Sequence, residues 1–138
     1  MATWEDVEAV AAELPEAGSR VRWGNHSWTV RDKAYAWVRP LNKSDVRALT
    51  ESGREVPDEP ILAVSVDDLG EKEAVLAQDP DLFFDIPHFA NYAAVLLRLS
   101  RVDRPRLDEI LTDAWLARAP KRLADAFLAE RDGPPEGR

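Results

Sequence analysis

The sequence predicts an α+β fold: a single domain with an antiparallel sheet of about five strands and flanking helices. Three observations carry that expectation. Residues 20–39 alternate apolar and polar side chains in three short runs separated by turn residues. Residues 61–66 and 93–99 are apolar runs of strand length. Segments with helical spacing stand before, between and after these runs. The predicted order is α-β-β-β-α-β-α-β-α. At 138 residues, with 45% hydrophobic and 32% charged, the chain is large enough for one core and has a globular composition. The spacing predicts that the domain occupies residues 1–130 and that residues 131–138 form a frayed, disordered tail.

The first helix is predicted to open after Thr3, a capping residue, with Glu5, Asp6 and Glu8 at its positive N-terminal end. Val7, Val10, Ala11 and Leu14 share one face, and Pro15 marks its end. Val21 and Trp23, then Trp28 and Val30, then Tyr35 and Trp37 form the apolar sides of three strands. Gly24-Asn25 and Arg31-Asp32-Lys33 are short enough for hairpin turns. Ser44 is expected to cap a short helix ending near Leu49, and a proline-bracketed loop follows from Gly53 to Pro60. Asp67 or Asp68 is expected to cap a helix over residues 69–78, with Leu69, Val75 and Leu76 apolar. The acids at 67, 68, 71 and 73 are read as its solvated start. The strand over 93–99 is apolar enough to lie centrally in the sheet. Pro105 suits the first turn of the longest helix, whose core stripe is Leu107, Ile110, Leu111, Ala114 and Trp115 with Arg118. Pro120 breaks or kinks it, and Leu123, Ala124, Phe127 and Leu128 continue a shorter apolar face.

Charge is unevenly spread over the net −8. Residues 1–18 carry −5, residues 19–47 carry +5, residues 48–85 carry −9 and residues 86–138 carry +1. The overall acidity disfavours nucleic acid, while the basic block on the three strands keeps that reading open. With no cysteine, disulfides, thiolate metal sites and a cysteine nucleophile are excluded. No apolar run reaches the ~20 residues that span a bilayer, and the acidic start is unlike a signal peptide. A cytoplasmic protein with no membrane partner is the expectation.

Residues 83–92 read Phe-Phe-Asp-Ile-Pro-His-Phe-Ala-Asn-Tyr, and no regular helix or strand pattern explains them. So much aromatic surface is expected to fold back on the core and present His88, Asn91 and Tyr92 at a surface cleft, with Lys121 beside them. The favoured reading of His88 and Asn91 is structural, tying an irregular loop to backbone groups. The sequence lacks a Gly-x-Ser-x-Gly nucleophile stretch, a phosphate-binding glycine loop and His-x-x-x-His spacing. No catalytic residue, metal ligand or cofactor is therefore assigned, and a non-enzymatic protein is expected. Trp115 and Trp23 are placed in the core. Trp28 and Trp37 are open to two readings: a sheet packed on both faces, or a stacking surface beside Arg31, Lys33 and Arg39.

Three stretches together resemble the MmcQ/YjbR family. They are Trp23-Gly24 with Trp28-Thr29-Val30-Arg31-Asp32-Lys33-Ala34-Tyr35-Ala36, Phe83-Phe84 with Pro87-His88-Phe89 and Tyr92, and Ala114-Trp115 with Ala119-Pro120-Lys121-Arg122-Leu123. They lie in the family's order, and the resemblance spans residues 4–130. Ala90-Asn91-Tyr92-Ala93 departs from the Asp-Gly-Tyr-Pro of similar sequences. The resemblance implies a compact α+β domain similar to type III secretion chaperones. It also implies the DNA-binding label that members carry through fold similarity to a phage transcription factor. On that reading Arg22, Arg31, Lys33 and Arg39 are the nucleic-acid contacts. The alternative is a protein- or small-ligand-binding module using the His88–Tyr92 cleft.

Overall fold

The computed structural model describes residues 1–131. Six strands form one antiparallel sheet: β1 (Ala17–Arg22), β2 (Asn25–Val30), β3 (Lys33–Val38), β4 (Ile61–Ser65), β5 (Phe83–Phe84) and β6 (Ala94–Arg98). Their spatial order is β1-β2-β3-β4-β6-β5. The helices are α1 (Trp4–Ala12), α2 (Lys43–Glu51), α3 (Leu69–Gln78), α4 (Arg104–Arg118) and α5 (Lys121–Arg131). Two short 3-10 turns, Pro87–Phe89 and Leu99–Arg101, complete the described chain. Of the expected tail, Arg131 is instead the last residue of α5, and residues 132–138 lie outside the described residues. Among those residues no helix is long and apolar enough to cross a membrane.

The α+β class is confirmed, with six strands in place of about five. The additional one is β5, whose two residues pair with Leu97 and Leu96 of β6. A pair of phenylalanines is too short to display a period of two. β6 is buried along its whole length as expected, but it is next to the edge of the sheet rather than central. Its burial comes from cover on both faces. One face packs on α1 and α4, with Trp28, Tyr35, Leu62, Val64, Val95 and Leu97 pointing into that core. The other face carries Ile61, Ala63, Ala94, Leu96 and Phe84 under Leu49 of α2 and under Ile86 and Phe89 of the aromatic loop.

Local chemistry sets the element ends. Thr3 caps α1 in a reciprocal box with Asp6. α2 is capped by Asn42, not by Ser44: the Asn42 side chain accepts from the Asp45 amide at 2.8 Å, and Asp45 accepts from the Asn42 amide at 3.0 Å. The Asp45 carboxylate is buried and also holds Arg39 at 3.0 Å, which fixes the end of β3 to α2. Asp68 caps α3, in agreement with the solvated-start reading of that acidic run.

The hairpin turns are Trp23-Gly24 and Arg31-Asp32, each with both residues at positive φ (51° and 79°, 49° and 68°). These are type I′ turns, whose twist matches the strands they join. The first lies one residue earlier than Gly24-Asn25. The β2–β3 register shifts after Trp28: Trp28 faces Ala36 while Thr29 faces Ala34, leaving Tyr35 as the extra residue of a bulge. Tyr35 and Ala36 therefore both enter the α1/α4 core, and Trp37 turns to the opposite face. The simple alternation that put Tyr35 and Trp37 on one side does not survive the bulge.

Burial pushes the Tyr35 phenol well above its ordinary range, and the negative charge of Glu8 adds to the shift. The neutral phenol thus stabilises the fold below the unfolded value of about 10, and that contribution is lost as pH rises above it. Tyr35→Phe is expected to move the alkaline unfolding midpoint to higher pH. Circular dichroism against pH checks this; an unchanged midpoint would show that Tyr35 ionisation does not drive the transition.

Candidate functional site

One end of the β1–β3 meander forms a groove of about 420 Å³. Trp37, Phe89 and Tyr92 build its aromatic wall. The Trp37 ring lies 6.2 Å from Phe89 and 6.1 Å from Tyr92, and Phe89 meets Tyr92 edge-on at 5.5 Å. Trp23 and Arg22, from the first hairpin turn, also line the groove, with His88 and Arg39. The Arg22 guanidinium sits over the Trp23 ring at 5.4 Å, and that of Arg39 over Phe89 at 5.6 Å. Among the described residues no carboxylate lines the groove, although the chain has 26 acidic residues.

Trp23 is not a core residue: it is 91% exposed. Its apparent apolar alternation with Val21 ends because Trp23 is already in the turn. A bulky side chain at positive φ is strained by about 1–3 kcal/mol. Asparagine followed by glycine is the favoured pair for this turn. Trp23→Asn is therefore expected to raise stability by about 0.5–1 kcal/mol, or a melting temperature increase of about 3 °C. Calorimetry checks it, and a lower melting temperature would mean that Trp23 contributes to the fold.

The aromatic loop is held in place by a residue that the sequence reading passed over. Lys72 of α3 is 4% exposed and is the one buried side chain among the described residues of that helix. Its Nζ donates to the carbonyl oxygens of Phe89 and, at 2.9 Å, of Tyr92. Asp85 Oδ1 lies 3.1 Å from the same nitrogen, an ion-pair contact without hydrogen-bond alignment. Lysine thus binds the C-terminal end of the 3-10 turn and the stretch that leads from it into β6, and it neutralises the carboxylate beside it. His88 and Asn91 were expected to tie this loop. Both are exposed, and among the described residues neither side chain makes a hydrogen bond. A signal for Lys72 existed: it falls on the stripe of Leu69, Val75 and Leu76, where a cation needs a partner.

The remaining candidates separate. Arg22 and Arg39 reach the groove, but Arg39 is committed to Asp45. Arg31 and Lys33 lie at the other end of β2, about 17 Å away at the usual strand rise. Arg31 is there ion-paired with Glu16, its Nη2 2.8 Å from Oε2. Trp28 faces the α1 side, where its indole donates to Glu8 at 2.7 Å, so it shares no stacking surface with Trp37. Tyr92 and His88 line the groove; Asn91 does not. Lys121 is also outside it, exposed on α5 and paired with Asp125 at 2.8 Å. His26 stacks on Trp28 at 4.6 Å near Glu8, across the sheet from His88, so the two histidines do not converge.

Comparison with known proteins follows the fold. The YjbR family model matches residues 12–117. Uncharacterised proteins of Mycobacterium bovis and of Mycobacterium tuberculosis are each 46% identical over 129 residues, covering 94% of this chain and 98% of theirs. The crystal structure of a Deinococcus radiodurans protein, described as a DUF419 domain, superposes with a TM-score of 0.63. It is 21% identical, with 99% of this chain and 94% of that one covered.

Proposed function

The chain belongs to the YjbR family, and from that premise we propose that it is a binding domain whose groove takes a flat ring bearing negative charge. It carries out no reaction on that ligand. The reading rests on one observation: an aromatic groove that, among the described residues, is free of carboxylates on a strongly acidic chain. Trp37, Phe89 and Tyr92 offer ring surface, and Arg22 and His88 offer donors to an anion. A nucleotide has this chemistry, free or within a single strand.

The separation of Arg31 and Lys33 from Arg22 and Arg39 argues against a basic stripe along duplex DNA. Two of these four cations are also neutralised by Glu16 and Asp45. The test is a tryptophan fluorescence titration with a nucleoside monophosphate, a thymidine oligonucleotide and a duplex of equal length, at two salt concentrations. Quenching by the monophosphate with a shallow salt dependence assigns a free nucleotide. Quenching that needs the oligonucleotide and weakens steeply with salt assigns a single strand, because several phosphates then release counterions. Binding of duplex alone, or of none of the three at low salt, would overturn the reading.

A further inference from the structure

The two edges of the sheet differ in character. β5 is two residues long and buried. β1 is six residues long with every residue exposed, and among the described residues nothing pairs with its outer side. Its ladder to β2 is unbroken over six pairs, from Ala17–Val30 to Arg22–Asn25. The Arg22–Asn25 pair closes a two-residue loop, so its hydrogen bonds point inward, as do those of Arg20 and Gly18 by alternation. The N–H and C=O groups of Ala17, Ser19 and Val21 consequently point away from the sheet.

Such an edge invites another strand unless it is shortened, bulged, covered or interrupted by proline. Among the described residues β1 has none of these features. Its protection among the described residues is charge: Arg20 and Arg22 project on the face that carries Ser27 and Asn25 of the groove. Among the described residues neither is paired with a carboxylate, whereas Arg31, Arg39, Arg98, Arg101, Arg104 and Arg106 all are. β1 itself contains no acid. On the opposite face Val21 is 66% exposed. The arginines repel a basic strand and attract an acidic one.

We propose that β1 is the docking edge for an extended acidic segment of a partner protein, which adds to the sheet as a further strand. Its acids stand opposite Arg20 and Arg22, and an apolar residue between them covers Val21. Main-chain hydrogen bonds give the affinity, and the alternation gives the specificity. This interaction shares Arg22 with the groove, whereas Ser19, Arg20 and Val21, on which its test reads, do not line the groove, so the two readings fail separately.

The test uses the whole chain with two capped peptides, one alternating glutamate and valine and one alternating lysine and valine. Amide hydrogen exchange is followed by NMR. With the acidic peptide at a hundred times its Kd, exchange at the Ser19 and Val21 amides is expected to slow about a hundredfold. The lysine peptide is expected to leave both unchanged. Val21→Pro removes one outward donor and none of the inward bonds of Arg20 and Arg22. It is expected to keep the fold and to lose the acidic peptide. Arg20→Glu, which leaves the backbone intact, is expected to shift preference toward the lysine peptide. Equal binding of both peptides, no slowing at these amides, or an Arg20→Glu chain that binds like wild type would overturn the proposal. So would slowing of the same amides with protein concentration alone, which would assign the edge to a second copy.

Discussion

Replacing Lys72 with alanine is expected to cost about 3 kcal/mol, the low end for breaking a buried pair, because it removes a buried cation and leaves a half-buried carboxylate behind. Asp85 would lose its counter-charge, and the carbonyls of Phe89 and Tyr92 would lose their donor. In a domain of ordinary stability, about 5–15 kcal/mol, this is a large share of the total. Lys72→Met keeps the side-chain length and apolar contact but not the donor, so it is expected to cost less. Urea unfolding of both variants checks the order. Wild-type midpoints would show that the aromatic loop is held by Phe84, Ile86 and Phe89 packing alone. The loop also bears the groove's aromatic wall, so Lys72→Ala should weaken ligand binding through position rather than contact.

Trp115→Ala is expected to destabilise by a similar amount, about 3–5 kcal/mol. The Trp115 ring is 0% exposed, lies 4.9 Å from Phe127 and donates its indole N–H to the Pro15 carbonyl at 3.1 Å. Three elements lose contact at once: α4, α5 and the turn that leads from α1 into β1. Trp23→Ala provides the contrast. It removes a ring of the same size from an exposed turn and is expected to leave the midpoint nearly unchanged. If the two variants behaved alike, the assignment of one tryptophan to the core and the other to the groove would be wrong.

That pair of tryptophans marks how far the sequence could be read. Trp115 was legible because Leu107, Ile110, Leu111 and Ala114 surround it at helical spacing. Trp23 was not, because strand alternation continues by chance into a turn, and only positive φ shows that the strand has ended. The Tyr35 bulge was hidden for a related reason: an extra residue reverses the side that follows it without changing composition. Most helices and five strands were legible from periodicity and caps, and Asn42 was displaced by the nearer-looking Ser44. The groove was legible only in pieces. His88 and Tyr92 were singled out on their loop, and Arg22 and Arg39 on their strands, as parts of two different hypotheses. They meet because β3 brings Trp37 beneath the loop, a contact between distant segments that no local pattern encodes. Lys121 and Asn91 were grouped with them by chemistry, and the fold points them elsewhere.

The most direct test of the groove is the set of indole N–H signals from the five tryptophans in a nitrogen-15 spectrum. Titration with a nucleoside monophosphate, or with the thymidine oligonucleotide, is expected to shift the signals of Trp23 and Trp37. Trp28 and Trp115, buried on the α1/α4 side, should remain in place. Saturating ligand with Trp23 and Trp37 unmoved, or with the shifts confined to Trp4 and Trp28, would contradict the account.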